Sequence, residues 1–234
     1  MLRYISSETL GHHNSHWLDS FYHFSFADYF RQENIHLGVL RVLNDDRVGS
    51  ITGFNTHHHE DMEIISYVVE GELTHTDSMG NSSTLKRGEV QYMSAGTGVD
   101  HSEHNYGHEI LRFLQIWFYP DQKGYTPQYG EKRFSWEERI DRWMPIASGD
   151  QDESFPIQIH ADVHVYASYL PRGEEIVFSV KEGRQAYLLL VEGWTVVNGI
   201  TMDERDAMEI VEEDIEIKAN NSSHLLLIEM EKSS

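Results

Sequence analysis

The sequence predicts an all-β protein made of two similar β-barrels, and three observations lead to this fold class. Short runs rich in Val, Ile, Leu and aromatic residues recur at roughly ten-residue spacing, divided by clusters of Gly, Asn, Asp and Ser. Stretches with helical spacing are few. A segment of the first half is also echoed in the second half. This combination is typical of a β-sandwich or a small barrel, and not of alternating strands and helices.

The apolar runs that define the predicted strands occur in both halves of the chain. The clearest are residues 64–69, 90–93, 110–119, 163–170, 186–191 and 225–230. Residues 77–81, Asp-Ser-Met-Gly-Asn, have the composition of a hairpin turn. Helix candidates are limited to residues 26–31 and 135–142, and in the latter Ser135 and Glu138 suit a capping box. We therefore expect antiparallel strands with few short helices.

A weak internal repeat predicts two domains. Residues 67–72, Tyr-Val-Val-Glu-Gly-Glu, are echoed by residues 189–194, Leu-Leu-Val-Glu-Gly-Trp. In both places an apolar strand ends at Glu-Gly and a further β-like stretch follows. Between them, residues 120–152 are polar and rich in Gly, Pro and charge, as expected of a connection. Each half of the chain is therefore expected to form its own barrel.

The composition argues against several classes of function. The 234 residues include 39 Asp and Glu but only 18 Lys and Arg, which gives a net charge of −21. This charge disfavours direct contact with nucleic acid or with an anionic membrane, because both depend on basic patches. The first residues lack the apolar segment of a signal peptide, and no run approaches the roughly 20 apolar residues of a membrane-spanning helix. We therefore expect a cytoplasmic protein.

Histidine is the residue type that carries the chemistry. The chain has 15 His and no Cys, so disulfides, thiolate catalysis and Cys-built zinc sites are excluded. Residues two apart on a strand point to the same face. His57 and His59 should therefore project together, with His58 turned the opposite way. His101 and Glu103 form a second pair with the same spacing.

Two such pairs on facing strands would bring three imidazoles and one carboxylate together. Nitrogen and oxygen ligands of this kind suit iron, nickel, manganese, copper or zinc. Judged from spacing alone, Glu63 could replace Glu103 as the carboxylate ligand. The other notable histidines lie in polar stretches, near turns or without a partner at ligand spacing. We interpret them as surface or hydrogen-bonded residues: His12, His13, His16, His75, His104, His108, His160, His164 and His224.

Around these histidines the sequence resembles the cupin fold, and more closely the pirin family. Residues 53–63 with Gly71 resemble the first cupin motif, and the second is resembled by Gly88, Gly96, His101 and Asn105. In the usual pattern the histidine follows the second glycine by three residues, but here it follows by five. That variant, in residues 93–103, is similar to pirins, as are residues 25–30, 40–46 and 115–117. The resemblance covers residues 17–134 and departs at His58, where proline is usual.

The resemblance implies a bicupin, with two stacked antiparallel β-barrels of the jelly-roll type in one chain. Residues 1–134 would form an N-terminal metal-binding cupin domain. Residues 135–234 would form a C-terminal cupin-like domain without metal ligands, because residues 184–187 stand where the ligand strand should come. In pirin-like proteins the metal ligands are the residues that match His57, His59, His101 and Glu103. Glu103 is thus favoured over Glu63. One divalent transition metal is expected, iron first, with nickel, manganese, copper, zinc and cobalt as alternatives.

The activity that the resemblance implies is that of a quercetin 2,3-dioxygenase, which opens a flavonol ring with dioxygen and releases carbon monoxide. The partners would be a small flavonol-like substrate and dioxygen, and the protein would be a monomer. Glu103 is the candidate catalytic base. Residues that could orient the ligand histidines are Asp100, Glu60 and Glu63. Candidates for the pocket wall are Phe54, Met93 and Phe113, although each also suits the core.

Two other classes of function stay open at this point. Pirins of nucleated cells are also described as transcription cofactors, which implies a non-enzymatic regulator that acts through protein partners with its metal as a redox sensor. The net charge of −21 permits binding to a basic protein. Hydrolytic or isomerase chemistry is the third class, because a cupin fold does not fix the reaction.

Overall fold

Strands make up most of the chain, which confirms the predicted all-β class. The computed structural model describes residues 1–150, 152 and 154–232. Within these residues the strands are β1 Leu2–Ile5, β2 Gly11–Asn14, β3 Leu18–Tyr22, β4 Leu40–Val48, β5 Thr52–His59, β6 Glu63–Glu70, β7 Glu72–Asp77, β8 Ser82–Lys86, β9 Val90–Ser94, β10 Val99–Asn105, β11 Leu111–Phe118, β12 Gln128–Lys132, β13 Met144–Ser148, β14 Ile157–Gln158, β15 Val163–Leu170, β16 Glu175–Ser179, β17 Arg184–Glu192, β18 Trp194–Val197, β19 Ile200–Asp203, β20 Ala207–Val211, β21 Asp214–Ala219 and β22 Ser223–Glu231.

Helical structure is limited to two short 3₁₀ helices among the described residues, Ser7–Thr9 and Trp136–Arg139. The second lies in a predicted helix, and Glu138 there accepts a hydrogen bond from the backbone N–H of Ser135, as a capping box requires. The other helix candidate, residues 26–31, is wrong. It forms a tight turn in which Phe26 and Tyr29 exchange backbone hydrogen bonds. In the described part of the chain no helix is long and apolar enough to span a membrane.

The strands group into two compact units. The first unit comprises Leu10–Phe134 with Ile159–Ala161, and the second comprises Met1–Thr9, Ser135–Gln158 and Asp162–Ser234. This division differs from an N-terminal domain that begins at residue 1. The reason is that β1 pairs antiparallel with β20 and so belongs to the sheet of the C-terminal half.

The first unit contains a seven-stranded sheet, ordered β12-β9-β6-β11-β4-β3-β2, and a four-stranded sheet, ordered β5-β10-β7-β8. Its core lies between the two sheets. Leu73 and Leu85 of the smaller sheet pack in one buried cluster with Val68 and Phe113 of the larger sheet. Burial of such side chains contributes about 1.5–3 kcal/mol each.

The second unit repeats this arrangement with sheets ordered β1-β20-β17-β22-β15-β13-β14 and β16-β21-β18-β19. Leu188 and Leu227 of the larger sheet share a buried cluster with Val197 and Ile217 of the smaller sheet. Both units therefore bury an apolar layer between a larger and a smaller sheet, as the even spacing of apolar runs predicts.

The Glu-Gly repeat marks the point where the chain leaves the larger sheet for the smaller one. Gly71 lies between β6 and β7 with φ +76°, and a Cβ there would lie 2.5 Å from the Ile110 carbonyl oxygen. Gly193 lies between β17 and β18 with φ +106°, and a Cβ would lie 2.5 Å from the Ser222 carbonyl oxygen. Glycine is required at both positions because of backbone conformation and space. The repeat thus has the same structural cause in each unit.

Candidate metal centre

Strands β5 and β10 of the first unit carry the predicted ligands on neighbouring antiparallel strands. His57 is the register partner of His101, and an irregularity follows between His101 and Glu103. Such a bulge changes the direction of the next side chains. His58 faces away from the other histidines, because its side chain is 56% exposed and its Nδ1 lies 2.9 Å from Asp100 Oδ1. The alternation predicted for β5 is therefore present.

His57, His59 and His101 form a tight cluster. Their ring centroids are 4.5–4.9 Å apart, and each offers a nitrogen within 4.8 Å of the others. Burial, followed by the neighbouring imidazoles, lowers the pKa of His59 and of His101 to about 3. These two rings are therefore neutral near pH 7, which is the state in which imidazole binds a metal.

The hydrogen bonds of the rings indicate which nitrogen is available to a metal. His57 Nδ1 lies 2.8 Å from the Asn55 carbonyl oxygen, which can only accept, so in the neutral ring this nitrogen carries the proton and Nε2 has the lone pair. His101 Nε2 is buried and has no hydrogen-bond partner among the described residues. A buried polar atom without a partner costs about 1–3 kcal/mol. A cation held by these nitrogens would remove that cost, so the donor set fits a metal.

Glu103 lies beside this cluster and is held by three hydrogen-bond donors. Its Oε1 accepts from Ser66 Oγ at 2.8 Å and from Gln91 Nε2 at 2.7 Å, and its Oε2 accepts from Gln115 Nε2 at 2.5 Å. Glu103 belongs to a second group of closely spaced ligand atoms, with His101 and His75, rather than to the group of His57, His59 and His101. Each carboxylate oxygen can accept more than one bond.

The three donors to Glu103 come from one row across the larger sheet. Gln115 on β11 is the register partner of Ser66 on β6, which in turn is the partner of Gln91 on β9. On the other side of Gln115, the row continues to Asn44 on β4. The sequence analysis missed this row. The sequence nonetheless contained a signal for this row, because Gln115 and Ser66 are polar residues within largely apolar strands.

Glu63, the alternative carboxylate, belongs to a different network. It accepts hydrogen bonds from Tyr92 Oη at 2.7 Å, Ser94 Oγ at 2.6 Å and the His160 backbone N–H at 3.0 Å. The described residues form two clusters of potential ligands, and Glu63 is in neither. Asp100, expected to orient a ligand, instead pairs with the outward-facing His58.

His75 is the functional candidate that the sequence analysis set aside. It is fully buried on β7, opposite Glu103 in the register. Its Nε2 lies 3.1 Å from Asp77 Oδ2, and its Nδ1 lies 3.4 Å from His101 Nδ1. A carboxylate accepts, so a neutral His75 ring donates from Nε2 and can accept from His101 at Nδ1. This arrangement leaves His101 Nε2 for a metal. His75 and Asp77 have the same two-residue spacing as the other pairs.

A cavity of about 390 Å³ opens beside the histidines within the first unit. His57, His59 and Glu103 reach it from the smaller sheet. The remainder of its wall is largely aromatic and apolar, with Trp17, Leu18, Tyr22, Phe26, Phe54 and Trp117. Of the three predicted pocket residues, Phe54 lines the cavity, whereas Met93 and Phe113 are buried in apolar clusters. Volumes of about 300–1,000 Å³ accept drug-sized aromatic molecules.

Paired β-sheets with a histidine cluster on the smaller sheet define the class of the cupins. The family model described as Pirin matches residues 5–118, and the one described as quercetinase C-terminal cupin domain matches residues 145–230. The chain belongs to the pirin family.

Individual relatives agree with this assignment along the whole chain. A Pseudomonas aeruginosa protein is 43% identical over 95% of this chain and 97% of its own length. Its name is a provisional assignment as a quercetin 2,3-dioxygenase. The Escherichia coli K12 protein named quercetin 2,3-dioxygenase is 38% identical over 94% of each chain. The crystal structure of the bacterial pirin YhhW from Escherichia coli in complex with nickel(II) covers 100% of both chains, with 36% identity and a TM-score of 0.92.

Proposed function

We propose that this protein is a metal-dependent dioxygenase that opens the ring of quercetin-like flavonols with dioxygen and releases carbon monoxide. The observation that carries the proposal is the cluster of His57, His59 and His101, with its unpartnered buried nitrogen, at the wall of an aromatic cavity. The name of the Escherichia coli relative supports the reaction, and the nickel(II) complex of YhhW supports a bound metal.

The proposed metal ligands are His57, His59, His101 and Glu103. This set of neutral nitrogens and one carboxylate suits iron, which we propose first, and also nickel, manganese, copper, zinc and cobalt. When bound, a divalent metal lowers the pKa of a hydroxyl group that coordinates it and prepares an electron-rich substrate for dioxygen.

The side chains around the cavity then have distinct roles. Glu103 lines the cavity and accepts the proton of the flavonol 3-hydroxyl, while Ser66, Gln91 and Gln115 fix its orientation. The aromatic wall, with Trp17 and Trp117, excludes water and packs against the planar rings of the substrate.

The proposal is tested by measuring carbon monoxide release from quercetin in air. Protein reconstituted separately with Fe(II), Ni(II), Mn(II) and Cu(II) should release carbon monoxide at a steady rate with at least one metal. His57→Ala should lose both metal and turnover. The matched control is His58→Ala, which should keep one metal per chain and full turnover because His58 faces away from the cluster.

Two results would contradict the proposal. The first is absence of carbon monoxide from protein that demonstrably holds one metal per chain, which would favour the non-enzymatic regulator. The second is loss of stoichiometric metal in His58→Ala, which would mean that the opposite face of β5 carries the ligands.

A further inference from the structure

The cavity has a second polar region that the proposed metal centre does not use. Ser20 on β3 and Asn44 and Asp46 on β4 all line the cavity, and each is at most 4% exposed. Asn44 and Asp46 are two apart on one strand and so share a face. Ser20 is the register partner of Asp46. We refer to these three residues as the β3–β4 polar group.

The two adjacent carboxylates of β4, Asp45 and Asp46, have different surroundings, and only Asp46 belongs to the β3–β4 polar group. Asp45 is neutralised by Arg112, whose Nε and Nη2 donate to its two oxygens at 2.8 and 2.6 Å. Asp46 lines the cavity and accepts a hydrogen bond from the Ser20 hydroxyl, but no cationic side chain among the described residues forms an ion pair with it. Burial, with Asp45 and Glu103 nearby, raises the pKa of Asp46 to about 7.

Asn44 supplies an unsatisfied acceptor in the same place. Its Oδ1 is buried and has no hydrogen-bond partner within the part of the chain that the structure describes. An amide oxygen accepts, and so does the carboxyl of Asp46 when it is ionised. Since both residues line a largely aromatic cavity, an aromatic molecule with a hydroxyl donor fits this place.

We infer that the β3–β4 polar group is a recognition subsite for a second hydroxyl of the aromatic substrate, distinct from the hydroxyl that binds at the histidine cluster. The inference rests on the proposed function for the identity of the first hydroxyl. The subsite selects polyhydroxylated flavonols, because a ligand without the second hydroxyl leaves the buried Asn44 oxygen unpaired and gives Asp46 no donor beyond Ser20. Sites built around a substrate hydroxyl discriminate in this way against the analogue that lacks it.

The test is direct binding, without turnover, to metal-loaded protein under anaerobic conditions. Quenching of tryptophan fluorescence reports occupancy, because Trp17 and Trp117 line the cavity. The probes are 3-hydroxyflavone, which has only the first hydroxyl, and galangin, kaempferol and quercetin, which add hydroxyls stepwise. Wild-type protein should bind at least one of the three polyhydroxylated flavonols about tenfold or more tightly than 3-hydroxyflavone.

Variants of Asp46 identify the residue responsible. Asp46→Leu should lose most of this preference without weakening the binding of 3-hydroxyflavone. Asp46→Asn is the matched control, because its amide oxygen still accepts, and it should keep most of the preference. Should Asp46→Leu fail to fold, Asn44→Leu applies the same test to the other acceptor.

The outcomes separate the subsite from the proposed function. An unchanged preference in Asp46→Leu, or an equal loss for all four ligands, overturns the subsite, even if carbon monoxide is released. A preference that depends on Asp46 in a protein that releases no carbon monoxide supports the subsite and contradicts the dioxygenase. Failure of all four ligands to bind the metal-loaded protein overturns both.

Discussion

Replacing His75 by leucine should weaken metal binding, although His75 is not one of the proposed ligands. His101 Nδ1 lies 3.4 Å from His75 Nδ1, and His75 Nε2 lies 3.1 Å from Asp77 Oδ2. These side chains are buried within the first unit. Leucine is similar in size to histidine but has no acceptor for the ring of His101.

The magnitude follows from the proton on the His101 ring. In the wild type, His75 Nδ1 accepts from His101 Nδ1–H, which keeps the lone pair on Nε2 and fixes the orientation of the ring. Leucine removes this acceptor, so the ring is neither held in place nor made more basic as a ligand. The dissociation constant of the metal should therefore rise roughly 10–100-fold, as it does elsewhere when the partners behind ligand histidines are lost.

The assay is competition for Ni(II) or Fe(II) against a chelator of known affinity, with metal content measured by mass spectrometry. His75→Gln can still accept a hydrogen bond and should recover part of the affinity. His58→Leu, on the exposed face of β5, should bind metal like the wild type. A wild-type dissociation constant in His75→Leu would refute the reasoning. So would an equal loss in His58→Leu, or a weaker affinity explained by unfolding of the metal-free variant.

Three further predictions concern the reaction and the fold. Glu103→Gln, compared with wild type at equal metal content per chain because Glu103 is also a proposed ligand, should lower carbon monoxide release at least about 100-fold, because it removes the base. Retained turnover would assign the proton to another group. Burial would raise the pKa of Glu229, but hydrogen bonds from Arg184 help lower it to about 2. Ionised Glu229 therefore contributes stability above its ordinary pKa, and this contribution is lost as the pH falls towards 2. In Glu229→Gln, acid unfolding followed by circular dichroism should lack this pH-dependent part of the stability. Gly71→Ala should cost more in urea unfolding than Gly80→Ala, because both have positive φ but only Gly71 lacks space for a Cβ; equal costs would contradict the role of the close backbone approach.

Local geometry accounts for what the sequence determined by itself. The alternation of side chains along a strand is a property of the backbone, so His57 and His59 could be assigned to one face and His58 to the other without knowledge of the fold. The glycines at positions 71 and 193 were visible as an echo, because each half of the chain needs the same turn between its two sheets. The spacing of the apolar runs was sufficient to predict the all-β class, because it too reflects the local geometry of strands and turns.

The tertiary structure distinguishes the surroundings of the two candidate carboxylates, which spacing alone left open. Glu63 and Glu103 are both buried strand residues near the histidines in sequence. Cross-strand register separates them, because Glu103 lies opposite His75 whereas Glu63 lies opposite Ser94. Register depends on pairing between distant segments, which spacing within one strand does not specify.

The surroundings of the site also came from the tertiary structure. Gln115 interrupts a largely apolar strand, and Asn44 and Asp46 lie in the polar middle of β4. Nothing in their local sequence tells whether they face the cavity or an ion pair. Asp45 and Asp46 are adjacent, yet one binds Arg112 and the other lines the cavity. Which of them is neutralised depends on the side chains that β3 and β11 place opposite each face, and those contacts exist only once the sheet has formed.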